Sequence, residues 1–183
     1  MGKRDGSDSD LQPNPKAGVS PALRGKRSAG YKGFREVSGR VGVSDLDVKR
    51  INGHVSVSPQ INPEDVAAIK AQGFVAIINN RPDGESPDQP PSAVIEQAAH
   101  DAGLAYHHIP LGREGVTPDM VEKTKEVLEG SNGPVFCFCR SGTRSTTLWA
   151  LSQAGEAPAE EIISAAANAG YDMSHLAGHL SQK

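Results

Sequence analysis

The residues of this sequence best suited to chemistry are gathered in one stretch, Cys139-Arg-Ser-Gly-Thr-Arg144, continued by Ser145. An apolar run from Val135 to Phe138 precedes it, and Arg144 to Leu151 reads as helix. The stretch is therefore a loop that turns from a buried strand into a helix. Such a loop points several backbone N–H groups inward, and the helix N-terminus adds partial positive charge. The product is an anion cradle. A cysteine on its floor would be a thiolate near neutral pH and a nucleophile. Arg144 supplies two N–H groups to grip an oxyanion. Gly142 allows close backbone approach, and Ser141 and Thr143 complete the same anion-binding loop. Ser145 is placed to hydrogen-bond the thiolate or to cap the helix. Arg140 either faces solvent or adds positive potential at the mouth. Cys137, inside the apolar run, reads as a buried structural thiol.

A loop of this kind needs a scaffold, and the preceding sequence supplies one. His54 to Ser58 alternates as a strand with Val55 and Val57 inward and His54 at the solvent end. Asn62-Pro63-Glu64-Asp65 opens a helix that Gly73 ends. Phe74 to Ile78 is a second buried strand and runs into a polar loop over 79–85 with a Pro-Asp-Gly turn signal. Ser92 to Ala102 is helical, with Val94, Ile95, Ala98 and Ala99 on one face. Leu104 to Ile109 is a third strand, closed by Pro110. Thr117-Pro118-Asp119 opens a helix that stops at Gly130. The Cys139 strand and its helix follow, then helices around 157–168 and 173–180. This order predicts an α/β fold, a mainly parallel central sheet flanked by helices. Ligands in such folds sit beyond the carboxyl ends of the strands. The loops over 79–85, 110–117 and 139–144 meet that condition together.

Length and charge narrow the class. The chain has 183 residues, enough for one domain and a tail. Residues 1–40 hold nine Lys/Arg against four Asp/Glu, a net of +5; the rest hold 10 against 18, a net of −8. That first segment is rich in Gly, Ser and Pro and lacks an apolar period, so it is expected to be a flexible basic arm before a domain over 41–183. Its charges have no aromatic interleaving, which argues against nucleic acid. No apolar run approaches a membrane span, and the N-terminus lacks a secretory stretch. The two cysteines are too close in sequence for a disulfide framework and are read as reduced thiols in a cytoplasmic setting. His107 and His108 on one strand point to opposite faces and do not share a metal. His175 and His179 have helical i, i+4 spacing without a third ligand, so no metal and no cofactor is expected.

Several separate motifs occur in order with the Cys139 loop: Ser58-Pro-Gln60, Ile77-Ile-Asn-Asn-Arg-Pro-Asp-Gly-Glu85, His108-Ile-Pro110, Leu148-Trp149 and Ala169-Gly-Tyr-Asp172. Through them the chain, from about His54 to Leu176, resembles the bacterial family of the beta-lactamase-hydrolase-like protein, phosphatase-like domain. The resemblance implies a topology like that of dual-specificity phosphatases. It also implies a metallo-hydrolase partner of the persulfide dioxygenase kind, because related domains are fused to such enzymes.

The resemblance points to phosphate, but the loop length differs. Tyrosine and dual-specificity phosphatases place five residues between Cys and Arg. Here four residues separate Cys139 from Arg144, as in rhodanese-type sulfurtransferases with their smaller cradle. Phosphoryl transfer also asks for a proton donor to the leaving group. Those phosphatases carry an Asp after the strand that ends here at Ile109-Pro110, where this chain has Leu111-Gly112-Arg113-Glu114. Glu114 would have to serve, or Asp83 or Glu85 from the other loop, although Asp83 also suits a turn. Sulfur transfer needs no general acid. The leading expectation is therefore sulfane-sulfur transfer through a Cys139 persulfide, on a small anionic or persulfidated substrate. The alternatives are hydrolysis of a phosphorylated substrate through a cysteinyl-phosphate, and an inactive anion-binding module.

Overall fold

The computed structural model describes residues 46–181; the arm expected over residues 1–40 lies outside them. A five-stranded sheet forms the centre, with strands β1 (Lys49–Arg50), β2 (Val55–Ser58), β3 (Ala76–Asn79), β4 (Ala105–His108) and β5 (Val135–Phe138). Their order across the sheet is β1-β2-β5-β3-β4. The β2–β5, β5–β3 and β3–β4 pairs are parallel and β1–β2 is antiparallel. The mainly parallel sheet expected from the element order is what forms. The two-residue β1 falls where the sequence carries no strand period, and it is a short edge that caps β2.

β5 lies in the middle, so both its faces are covered, and its apolar run follows from that position. Side chains alternate across the sheet. Phe136 and Phe138 face one layer with Ile77, Ile95 and Phe74. That layer holds α1 (Val66–Ala71) and α2 (Ser92–Asp101). Val135 and Cys137 face the other with Val57, Ile78, Leu148 and Ile162. That layer holds α3 (Pro118–Gly130), α4 (Thr143–Ser152), α5 (Ala159–Asn168) and the short α6 (Ala177–Leu180). The Phe74 and Phe136 rings meet edge to face, 5.2 Å apart at 79°, a geometry that adds about 1 kcal/mol beyond burial.

Several boundaries moved from the sequence expectation, two of them next to the site. The second strand begins at Ala76, because Phe74 is used as a core plug. The Cys-loop helix begins at Thr143, with Gly142 as its cap at φ 90°. Exposures also changed: Val94, grouped with the apolar face of its helix, is exposed. His54 is half-buried rather than solvent-facing; its ring Nε2 lies 2.9 Å from the Leu128 carbonyl and ties β2 to the end of α3.

Candidate active site

The carboxyl ends of β2, β3, β4 and β5 come together, and backbone bonds between neighbouring strands lock the loops that leave them. Asn80 N–H donates to the Phe138 carbonyl (2.8 Å), Leu111 N–H to the Asn80 carbonyl (3.1 Å), and Cys139 N–H to the Ser58 carbonyl (3.4 Å). Asn80 Nδ2 also donates to the Ile109 carbonyl at 2.9 Å. Residues 79–85, 110–117 and 139–144 therefore do meet, as the parallel topology requires.

Cys139 follows the last paired residue of β5 and is fully buried. Gly142 N–H donates to its Sγ at 3.1 Å. The chain then enters α4, whose first-turn N–H groups have no intrahelical acceptors. Arg140, Ser141 and Thr143 of the same loop are exposed, and the Ser141 and Thr143 hydroxyls lie 3.2 Å apart. Ser145 is buried, and its hydroxyl has no partner among the described residues.

Arg144 is held from two sides. Nη1 donates to the Leu111 carbonyl at 3.2 Å, and Nη2 pairs with Glu85 at 2.8 Å. Glu85 is also gripped by Arg81, whose Nε donates to Oε2 at 2.9 Å. Arg81 is buried and spends its other nitrogens on Gln60 and Ser86, while its carbonyl meets the His108 ring at 3.0 Å. Partial burial pushes the Glu85 carboxyl up. Hydrogen bonds and charge from Arg144 and Arg81 outweigh that and hold it below the usual carboxylate range. Asp88 is held low by the Ser86 hydroxyl and, more weakly, by the charges of Arg81 and Arg140.

Of the three candidate proton donors, Glu85 is ion-paired with Arg144 and Arg81, and the other two are placed differently. Asp83 accepts the Ser92 backbone N–H at 2.8 Å, so it caps α2 and closes the turn of its loop. Glu114 is exposed, and its carboxylate folds back over Gly112, one residue from the carbonyl that Arg144 touches. It has no hydrogen bond or ion pair among the described residues.

Sequence reasoning gave no role to two residues of this site, Arg81 and Tyr171. Arg81 and Glu85 form an i, i+4 ion pair, but the spacing carries no signal in a proline-rich loop. Tyr171, after α5, has its hydroxyl donating to the Ser141 carbonyl at 3.1 Å. Burial, then the negative charge of Cys139 and Asp47, push that hydroxyl up from its ordinary value. Beside it lies a groove of about 590 Å³ lined in part by Lys49, Ser141, Asn168 and Tyr171. A cavity of about 980 Å³ along β4, lined by His107, Lys70 and Lys123, shares no residue with the cradle. Among the described residues, no group of three or more His, Cys, Asp and Glu is arranged to hold a metal ion. No described helix is long and apolar enough to cross a membrane.

The fold recurs among known proteins. Residues 47–156 match the family model described as beta-lactamase hydrolase-like protein, phosphatase-like domain. A beta-lactamase hydrolase-like protein of Agrobacterium fabrum is 38% identical over 105 residues, covering 57% of this chain and 24% of the relative. Another from Xylella fastidiosa strain Temecula1 is 32% identical over 130 residues, covering 70% and 30%. The chain thus spans less than a third of the length of these curated relatives. Among solved structures, a provisionally designated phosphatase of Neisseria meningitidis superposes with a TM-score of 0.65 at 33% identity, over 74% of this chain and 96% of that one. Kinase-associated phosphatase superposes at 0.54 with 13% identity, over 74% and 91%, and shares the fold alone. The chain belongs to the phosphatase-like domain family of the beta-lactamase hydrolase-like proteins.

Proposed function

We propose that this member of the family is a cysteine-dependent hydrolase of phosphate monoesters. The observation that carries the reading is the convergence at the end of β5. There Cys139 Sγ receives a backbone N–H, α4 begins, and the Arg144 guanidinium is held at the rim by Leu111 and Glu85. An incoming phosphate would meet the first-turn N–H groups of α4 and Arg144, which oppose its charge. The Cys139 thiolate attacks phosphorus, and the P–O bond to the leaving group breaks. Glu114, the rim carboxyl free of partners among the described residues, gives the departing oxygen its proton. Water then attacks the cysteinyl-phosphate, with the Glu114 carboxylate taking a proton from it, and the thiolate is regenerated. The family match and the phosphatase-type relatives favour this chemistry over the sulfur transfer expected from loop length.

Sulfane-sulfur transfer is kept as a second reading for one reason: four residues, not five, separate Cys139 from Arg144. The test offers the protein an aryl phosphate and, separately, thiosulfate with cyanide. Phosphate release that disappears in Cys139→Ser supports hydrolysis. Thiocyanate release with the same dependence, and no phosphate release, overturns it in favour of the persulfide route. Loss of both with retained binding of inorganic phosphate would make the loop an anion-binding module.

A further inference from the structure

Tyr171 lies outside the matched segment 47–156, yet it touches the centre of the cradle. Its position is fixed by how α5 ends. Gly170, at φ 93°, takes the left-handed conformation after the last turn. Gly170 N–H then donates to the Ala167 carbonyl and Tyr171 N–H to the Ala166 carbonyl, both at 2.9 Å. This is the paired-bond stop in which only glycine avoids a Cβ penalty. It launches the half-buried Tyr171 ring toward the Cys139 loop.

The ring meets Gly142, where a Cβ would collide with the phenol. The hydroxyl donates to the Ser141 carbonyl at 3.1 Å. That carbonyl and the Gly142 N–H are the two ends of one peptide group. A trans peptide points them in opposite directions. Since the Gly142 N–H donates to Cys139 Sγ at 3.1 Å, the peptide is held from both sides, by Tyr171 outside and by the sulfur inside. Nothing in the local sequence enforces this orientation. Gly142 sits at φ 90°, and glycine also tolerates the conformations reached by rotating that peptide away.

We infer that Tyr171 is a positioning residue whose hydroxyl keeps the Ser141–Gly142 peptide turned so that its N–H stays on the Cys139 sulfur. It acts through the peptide and touches no substrate. The inference rests on the thiol-enzyme reading only for its effect on turnover. A hydrogen bond to the charged form of an acid favours that form, so losing the hydroxyl should weaken the nucleophile as well as the cradle.

The test is Tyr171→Phe, which keeps the ring and deletes the bond. Iodoacetamide labelling of Cys139, read by peptide mass spectrometry across pH, needs no substrate. The pH of half-maximal labelling should rise, and the rate at pH 7 should fall about three- to tenfold. Aryl phosphate turnover should lose about tenfold in kcat with KM little changed. A purely packing role would change the labelling rate at every pH without moving its midpoint, and an unmoved midpoint overturns the inference. Should Tyr171→Phe fail to fold, Tyr171→Leu also deletes the donor and is read the same way, its midpoint expected above that of the unaltered protein. If the unaltered protein lacks phosphate release but the midpoint still shifts, the hydrolase reading fails and this inference stands.

Discussion

Cys137 and Cys139 are two residues apart on one strand, and their surroundings make them different groups. Cys137 sits in the β5 ladder opposite Val57 and Ile78. Burial, helped by the charge of Cys139, pushes its thiol up to about 12. Cys139 lies one residue past the ladder; its N–H makes a last, long bond to the Ser58 carbonyl of β2, and the chain then curls. Its sulfur therefore meets an N–H that no strand uses. Both residues are buried, so burial alone does not distinguish an inert thiol from a nucleophile. What differs is the supply of donors, and the end of the strand controls that supply.

The largest expected effect separates the two thiols outright. Cys139→Ser should cut aryl phosphate hydrolysis by about 10³-fold or more with the fold retained. Cys137→Ala should leave turnover within about twofold and cost about 1 kcal/mol in a urea titration. A reversed pattern would break the contrast. Next comes the cation. Arg144→Lys retains the charge but loses the flat two-pronged grip, and kcat/KM should fall about 10²-fold. Glu85→Gln tests whether the rim ion pair orients that cation, with an expected drop in kcat/KM of about five- to tenfold. In an Arg144→Lys background the Glu85 change should have little further effect, and full additivity in that cycle would remove Glu85 from the argument.

Smaller effects concern stability. The Cys137 thiol ionises more readily in the unfolded chain than in the fold, 9.0 against about 12. Its contribution is fully present below pH 9 and is lost as pH rises toward 12. The alkaline fall of Tm should therefore be shallower in Cys137→Ala than in the unaltered protein; parallel curves would show that another group governs it. Asp83→Asn should be the mildest. It leaves an oxygen to accept the Ser92 N–H, so stability should change by less than about 0.5 kcal/mol, and hydrolysis should persist if Asp83 is a cap. A large loss of kcat with unchanged stability would return Asp83 to the list of proton donors.

The sequence by itself determined the layer architecture and the position of the Cys139 loop. Alternation, helix stops at Gly73, Gly103 and Gly130, and the order of elements leave little choice but a parallel sheet with β5 inside. An all-apolar tetrapeptide ending in Cys139 then fixes where the loop begins. Those signals are local, because they depend on periods of two and of 3.6 residues and on single-residue turn chemistry. Tertiary structure decided what surrounds the loop. Glu85, gripped by Arg81, reaches Arg144 from another strand's end, Leu111 reaches it from a third, and Tyr171 arrives from beyond α5. Asp83 already suited a turn in the sequence, but only folding capped a helix with it and left Glu114 without a hydrogen bond or ion pair among the described residues. Such pairings span from about 30 to about 60 residues of sequence and depend on which loops the strand order brings together. No local pattern encodes them, and they are the contacts that turn a cysteine at the end of a strand into a candidate catalytic centre.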